Sequence, residues 1–239
     1  MANPRKLLDK AKIACNNSGH AVESDFREVA KIVEAGATRK PVKDYELSRY
    51  ACYLIAQNGD PAKQEIAFAQ TYFAIQTRRA ELIEQRLLES ERVSARRKLS
   101  GTEKELSCVI FEQVGGDQDF ALIRSKGDHA LFGKSTKEMK AQWRVPDSRP
   151  LADFAPTIIL KAKDFAAEIT IHNAREKNMR REPQISQEHV TNNQAVRQTL
   201  LNRGIRPESL PPAEDVKKVE RRLSSDEKKA LKNPDILNG

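Results

Sequence analysis

The chain has 239 residues, and its 42 lysine and arginine residues exceed its 34 acidic residues by eight. This length leaves room for one or two domains, and a hydrophobic fraction of 38% can still support a core. The charged fraction of 32% and the low aromatic content favour a mainly helical protein with solvated faces. The basic excess favours acidic partners such as nucleic acid, but an ordinary basic surface explains it equally well.

The cysteines and histidines indicate neither a disulfide framework nor a metal site. Cys15, Cys52 and Cys108 lie far apart and form no CxxC pair, which is typical of a reducing compartment. The four histidines lack metal-ligand spacing. The first residues contain no apolar signal core, and no apolar run is long enough to cross a membrane. We therefore expect a cytoplasmic protein with free thiols, no cofactor and no membrane contact.

The first elements form a small mixed region. Residues 4–17 are predicted to be a short amphipathic helix. Extended segments at 26–33 and 41–47, separated by a turn at 36–40, predict a hairpin, with a helical turn over 27–35 as the alternative.

The stretch from Leu47 to Arg79 predicts a helix, a sharp break and a second helix. The first helix covers 50–57, and the break falls at three residues with suitable chemistry. Gly59 suits a left-handed residue that ends a helix, Asp60 is a good N-cap, and Pro61 fits the first helical position.

The second helix of this stretch is predicted to run from Ala62 to about Lys98. Apolar residues recur on two of its flanks, which is usual for a helix inside a domain or at a subunit contact and is compatible with a homo-oligomer. Beyond Leu88 the pattern becomes polar, which predicts a linker or a helical arm that leads to a second domain.

The second half predicts a series of helices. Thr102 is expected to cap the first, and two more are expected at 117–126 and 135–143. Pro156 opens a helix whose predicted apolar stripe is Ile158, Ala162, Phe165, Ile169 and His172.

Two helices complete the prediction. One is expected between an N-cap at Ser186 and Gly204 at the C′ position. The last begins near Pro212, and Ser224 starts another capping box. We expect a small domain with the long helix over 1–98, a helical domain over 99–223 and a flexible tail over 224–239.

Several of these segments together resemble the bacterial DNA-damage-inducible protein D family. KAKIACNNSGH, YELSRYACYLIAQNGDP and QTYFAIQTRR resemble the end of its Bro-N type domain, which phage antirepressor-like proteins share. ALFGKSTKEMK, RPLADFAPTIILKAKDFAAEIT and HVTNNQAVRQTLLNRGIRPESLPPAEDVKKVERR resemble its C-terminal region. The resemblance covers roughly residues 7–223 and implies a shortened Bro-N domain, because family members carry a further stretch ahead of the first segment.

The resemblance implies both a fold and a role. The fold is mainly α, with a small α+β Bro-N remnant followed by a long helix and a helical C-terminal domain. The role is a response to DNA damage under the SOS regulon. It includes binding to DNA through the Bro-N domain and action on filaments of the recombinase RecA.

Basic residues are the candidate DNA contacts. Arginine pairs bidentately with phosphate oxygens, so a cluster on the long helix is a candidate phosphate-binding arm; a solvated face with acidic neighbours is the alternative. An exposed hairpin tip and the start of the short helix are further candidates. We assign DNA contacts to Arg39, Lys40, Arg49, Arg78, Arg79, Arg96 and Arg97.

Catalysis is not indicated by any motif. The LFGKST segment lacks the upstream glycine of a P-loop at the required spacing, and Ser135 or Thr136 is better explained as a helix cap. The carboxylates show no paired-acid or nuclease-like pattern. We therefore expect a non-enzymatic protein that binds DNA, a RecA filament or both. The alternative is an antirepressor-like module that contacts only protein.

Overall fold

The computed structural model describes residues 4–35, 38–115 and 120–232. It divides into two compact units, Met1–Glu84 and Gln85–Gly239, called here the N-terminal and C-terminal units. The expected fold class is confirmed, because the described chain is mainly helical with a two-stranded sheet near its start. The division between the units lies ahead of the boundary at residue 98 expected from the sequence.

The N-terminal unit contains a β-hairpin, two helices that precede it and a short helix that follows it. These elements are α1 (Pro4–Asn17), α2 (Val22–Asp25), β1 (Phe26–Ala35), β2 (Thr38–Leu47) and α3 (Arg49–Asn58). The strands pair antiparallel from Phe26 with Leu47 to Ala35 with Thr38, so the predicted hairpin is confirmed and the helical alternative is wrong. The predicted turn falls partly on residues outside the described ranges. The core of this unit is small and consists mainly of Ala11, Cys15, Phe26, Ala51 and Leu54.

The helix α4 (Gln64–Val114) is continuous over 51 residues and contributes to both units. The predicted helix start at Thr102 is wrong, because Thr102 lies inside α4 and is buried. Its hydroxyl donates to Asp164 Oδ1 at 2.6 Å and to the Lys98 carbonyl oxygen at 3.2 Å. A hydroxyl with such partners is tolerated in a helix interior. The capping pattern at Thr102 therefore predicted a helix start at a position that lies within a helix.

The break before α4 has a different cause from the one expected. Gly59 has a φ of −82° and a ψ of 161°, which is extended and not left-handed. A Cβ on Gly59 would lie 2.7 Å from Cδ1 of Ile66 and 2.8 Å from its Cγ2. Glycine is therefore favoured here, because a larger residue would displace the side chain of Ile66. Asp60 accepts from the backbone N–H of Ala62 at 3.0 Å, in a turn that precedes the helix.

The C-terminal unit packs further helices against the second part of α4. They are α5 (Phe120–Phe132), α6 (Thr136–Trp143), α7 (Thr157–Glu176), α8 (Glu182–Asn202) and α9 (Val216–Lys232), with 3₁₀ turns at Leu151–Phe154 and Pro207–Ser209. Two large hydrophobic clusters fill this unit. One surrounds Leu131, Trp143 and Leu160, and the other surrounds Leu106 and Ile171.

The predicted stripe of α7 is wrong in its first, middle and last members, whereas Ala162 is buried as expected. Ile158 is 40% exposed and Phe165 is 58% exposed, and His172 is exposed as well. The buried face of α7 instead carries Lys163 and Asp164 among small and apolar residues. Charged side chains that are neutralised by partners can be buried, so hydrophobicity alone selected the wrong side of this helix.

Two predicted helix ends are confirmed, one at the start of α6 and one at the end of α8. Ser135 caps α6 in a capping box with Glu138, which confirms a cap at this segment. Gly204 has a φ of +75°, and the bonds from Gly204 N to Leu201 O and from Ile205 N to Leu200 O confirm the predicted end of α8.

Other predicted ends are wrong. Ser186 is not a cap, because α8 begins at Glu182 and Ser186 is buried within it. The last helix starts at Val216, beyond the expected Pro212, and Ser224 lies inside it. This helix continues through Lys232, into the segment expected to be a flexible tail.

Candidate nucleic-acid interface

A groove of about 600 Å³ lies between α3 and α4 in the N-terminal unit and is called here the α3–α4 groove. The cap of α3 positions one wall, since Ser48 accepts from Ala51 N at 3.1 Å and donates to Asp25 Oδ1 at 2.5 Å. Aromatic, amide and hydroxyl groups line the groove, and an arginine stands at its edge. The residues are Tyr53, Ala56, Gln57, Gln70, Phe73, Ala74, Thr77, Arg78 and Glu81.

Two aromatic rings form the apolar part of this groove. Tyr53 and Phe73 meet edge to face, with ring centroids 5.2 Å apart and an interplanar angle of 81°. Gln70 ties the walls together by donating to the Ala56 carbonyl oxygen at 2.9 Å. Both rings are half-buried. They therefore contribute to packing between α3 and α4 and still leave ring surface in the groove.

Four of the predicted arginines belong to the same unit as this groove, and three of them, Arg49, Arg78 and Arg79, lie on α3 and α4. Arg78 is exposed, and its Nη1 donates to Glu81 Oε2 at 3.1 Å. Arg79 follows it on α4 and is half-buried. Arg49, at the start of α3, holds its guanidinium 5.5 Å from the ring centroid of Tyr72. Arg78 is the predicted contact that lines the groove itself.

The predicted contacts of the hairpin lie on β2. Arg39 Nη2 is 3.3 Å from Glu34 Oε1 across the hairpin, and both side chains are exposed. Lys40 is also exposed. An exposed ion pair is weak, so Arg39 can exchange its acidic partner for a phosphate at little cost.

The predicted contacts of the C-terminal unit are engaged in ion pairs. Arg96 Nε donates to Asp153 Oδ1 at 2.8 Å, and only 15% of the Arg96 side chain is exposed. Arg97 is exposed and pairs with Glu220 at 3.1 Å. The basic residues along α4 therefore do not form one continuous set of unpaired cations, because Arg96 pairs with Asp153 and Arg97 pairs with Glu220.

Arg92 is another arginine of α4, and it is buried. Its guanidinium donates to the carbonyl oxygens of Ala155, Asp153 and Glu214 at 3.1, 2.8 and 2.5 Å. Five donors in a planar fork suit such a set of acceptors, so Arg92 joins α4 to two other segments of the C-terminal unit. Its role is structural.

Sequence reasoning missed a group of buried polar residues in the C-terminal unit. Lys163 Nζ donates to Asp128 Oδ1 at 2.5 Å, and Asp128 Oδ2 accepts from Thr136 at 3.1 Å. His189 lies nearby on α8 with its Nδ1 3.2 Å from the Thr170 hydroxyl. Burial, assisted by the positive charge of Lys163, lowers the pKa of His189 from 6.5 to about 4. These residues come from four helices, and no sequence spacing marks them as neighbours.

The described residues hold no group of three or more side chains suited to bind a metal ion. No described helix is both long enough and apolar enough to cross a membrane. The side chains that line the α3–α4 groove offer stacking on aromatic rings and hydrogen bonding from guanidinium and amide groups.

The fold and this surface define a class of helical protein with a small N-terminal α+β unit and a larger helical C-terminal unit. The family described as the DinD C-terminal domain matches residues 87–219, which is most of the C-terminal unit. DNA damage-inducible protein D of Escherichia coli (strain K12) is 36% identical over 233 residues, covering 93% of this chain and 85% of that protein. The chain belongs to the DNA damage-inducible protein D family.

Proposed function

We propose that this protein acts in the response to DNA damage without catalysis, by binding DNA and modulating RecA recombinase filaments. The name of its E. coli relative supports the link to DNA damage. The Bro-N character of the N-terminal unit, induction under the SOS regulon and action on RecA filaments are parts of this proposal that come from the family resemblance.

The observation that supports DNA binding is the position of Arg78 at the edge of the α3–α4 groove, beside Tyr53 and Phe73. Proteins that bind single strands combine cationic side chains for phosphates with aromatic rings for bases. Arg78 has only an exposed ion pair to give up, and Arg79 follows it on the same helix. We therefore assign the first phosphate contacts to Arg78 and Arg79.

Fluorescence anisotropy with labelled single- and double-stranded oligonucleotides tests this assignment across a range of salt concentrations. Affinity is expected to fall steeply with salt. In a plot of the logarithm of the association constant against the logarithm of the salt concentration, each neutralised phosphate should contribute about −0.7 to −0.9 to the slope. The variant Arg78→Ala with Arg79→Ala should bind more weakly and with a smaller slope. Arg175→Ala is the matched control, since Arg175 is an exposed arginine that pairs with Glu105 at 2.9 Å and to which no DNA contact is assigned. No binding at low salt for either strand type would exclude the proposal.

Action on RecA is tested separately, by adding the chain to preformed RecA filaments on single-stranded DNA. Filament disassembly is expected with the unaltered chain, and the double arginine variant should disassemble filaments more slowly. Unchanged filaments would remove RecA modulation from the proposal and leave DNA binding intact.

The second candidate is an antirepressor-like module that contacts a protein partner and no DNA. Exposed apolar side chains on α4 favour it: Phe68 is 73% exposed and Ile75 is 48% exposed. Such side chains on one helix are typical of protein contacts, including contacts between copies of the same chain. Sedimentation of the chain alone tests self-association. A lack of DNA binding together with unchanged RecA filaments would favour this candidate.

A further inference from the structure

The C-terminal unit contains a second pocket, of about 240 Å³, whose lining includes neither Arg78 nor Arg79, the first phosphate contacts proposed above. It opens between α4, α5, α6 and α7 and is called here the Arg124 pocket. Cations outnumber acids in its lining, which includes Arg96, Arg124, Lys140 and Lys163 together with Glu103 and Asp128. An excess of positive charge in a concave site favours an anionic ligand.

Two of these cations are already neutralised by buried acids. Lys163 is 8% exposed and donates to Asp128 at 2.5 Å. Arg96 donates to Asp153, which also accepts from Arg149 at 2.8 Å. Breaking such buried pairs is costly, so Lys163 and Arg96 form a fixed wall of the pocket and do not have to move to meet a ligand.

The other two cations keep donors for a ligand. Arg124 Nε is buried without a hydrogen-bond partner among the described residues, although it lies 3.5 Å from Glu103 Oε1. The Arg124 guanidinium is held over the Phe120 ring at 5.1 Å. Lys140 Nζ donates to the Asp147 carbonyl oxygen at 2.8 Å, so its charge is not balanced by a carboxylate there. An ammonium has three donors, and one such bond leaves two.

Two hydroxyl groups also line the pocket, those of Ser125 and Thr136, and their oxygens lie 3.4 Å apart. A guanidinium, an ammonium and a serine hydroxyl that face one cavity match the three acceptor oxygens and the charge of about −1.5 to −2 of a phosphate monoester. The acids Glu103 and Asp128 lie beside Arg124 and Lys163 and hold these cations in place.

We propose that the Arg124 pocket binds a phosphate monoester group, through Arg124 and Lys140. The group has two sources with the same chemistry: a small free phosphate compound, or the 5′-phosphate at the end of a DNA strand. This binding goes beyond the proposed DNA contacts, because it uses different residues in a different unit.

Isothermal titration calorimetry of the full chain with inorganic phosphate, in a phosphate-free buffer of low salt, tests the pocket. Saturable binding is expected, and Arg124→Gln and Lys140→Gln should each weaken it by about tenfold or more, the effect of losing a charge-assisted hydrogen bond. Lys137→Gln is the control, because Lys137 is an exposed lysine of the same helix as Lys140 outside the pocket. The melting temperature of each variant checks that it folds.

Oligonucleotides with a 5′-phosphate and with a 5′-hydroxyl distinguish the two sources. If a strand end is the ligand, the phosphorylated strand binds more tightly, inorganic phosphate competes, and Arg124→Gln abolishes the difference. If a small compound is the ligand, inorganic phosphate binds and the two strands bind alike. Absence of both saturable phosphate binding and a preference for the 5′-phosphate would overturn the proposal.

Two further results would also overturn it. One is an equal loss of phosphate binding in Lys137→Gln, and the other is unchanged binding in both Arg124→Gln and Lys140→Gln. Arg78→Ala with Arg79→Ala should leave phosphate affinity unchanged while weakening oligonucleotide binding, so the two proposals can fail independently.

Discussion

The two units differ in what they bury and in what they leave outside. The N-terminal unit has a core of few residues, such as Ala11, Phe26 and Leu54, and many large apolar side chains on its surface, including Ile32 and Phe68. The C-terminal unit buries long apolar side chains in successive clusters and adds ion pairs beneath its surface. A unit with little core and exposed apolar surface suits contact with a partner, whereas a densely packed one suits a preformed pocket.

The two units also differ in whether their ion pairs are exposed or buried. Ion pairs of the N-terminal unit, such as Arg39 with Glu34 and Arg78 with Glu81, are exposed and therefore weak. The C-terminal unit contains Lys163 with Asp128, both buried, where loss of one partner leaves an unpaired charge. Substitutions of similar chemistry should therefore have very different effects in the two units.

The largest effect is expected for Lys163→Ala. It leaves Asp128 buried without its cation and should lower the free energy of unfolding by about 3–5 kcal/mol. Denaturant unfolding followed by the fluorescence of Trp143, the single tryptophan, reports on the C-terminal unit. Lys161→Ala is the matched control. Lys161 lies on the same helix as Lys163 and pairs with Glu91 at the same distance of 2.5 Å, but this pair is exposed. Its loss should lower the free energy of unfolding by about 1 kcal/mol or less. Equal losses of unfolding free energy in the two variants would contradict the expected difference between a buried and an exposed ion pair.

The next effect is a dependence of stability on pH that comes from His189. The folded pKa of about 4 lies below the unfolded value of 6.5, so the unfolded chain binds a proton first as the pH falls. Stability should therefore decrease between pH 6.5 and about 4, by about 3 kcal/mol from this group.

His189→Gln should remove this part of the pH dependence, and the difference from the unaltered chain isolates it from the carboxylates that titrate in the same range. Trp143 fluorescence during unfolding at several pH values measures it. His172→Gln, at an exposed position of α7, should leave the dependence intact. The same slope in His189→Gln and the unaltered chain would show that His189 is not the cause.

A smaller effect is expected in the N-terminal unit for Gly59→Ala. The added methyl group would meet Ile66 at 2.7 Å, and overpacking of this kind costs about 1–3 kcal/mol. Thermal unfolding followed by circular dichroism measures the loss. Gly101→Ala, in open space within α4, should instead stabilise by about 0.5–1 kcal/mol. A stabilising Gly59→Ala would mean that Ile66 can move aside easily.

The smallest effect is expected for Arg78→Ala, which removes an exposed ion pair with Glu81. The free energy of unfolding should change by less than about 0.5 kcal/mol. The same thermal measurement tests this expectation. A larger loss would mean that weaker DNA binding in an Arg78 variant reflects damage to the fold.

Part of the fold could be predicted from local pattern alone. The hairpin, α1, α3, the Ser135 cap and the Gly204 end depend on residues close together in the chain. Each of these features satisfies its backbone hydrogen bonds within a few residues, so its chemistry is visible in a short window of sequence.

Other features required the packed structure. Ser186 and Thr102 have the chemistry of helix caps, yet both lie inside helices where distant partners satisfy their hydroxyls. Arg96 has the chemistry of a phosphate contact and is paired with Asp153 across 57 residues of chain. A local pattern states what a side chain can do, whereas its distant neighbours decide which option is realised.

The sequence by itself determined the helical class of this protein, its family and the position of Arg78 and Arg79 on a long helix. Tertiary structure alone decided that Arg124 and Lys140 line one pocket and that Lys163 is buried against Asp128. The physical reason is the separation along the chain over which each interaction acts. Helix periodicity and capping act over a few residues, whereas desolvation and ion pairing depend on which segments the fold brings together.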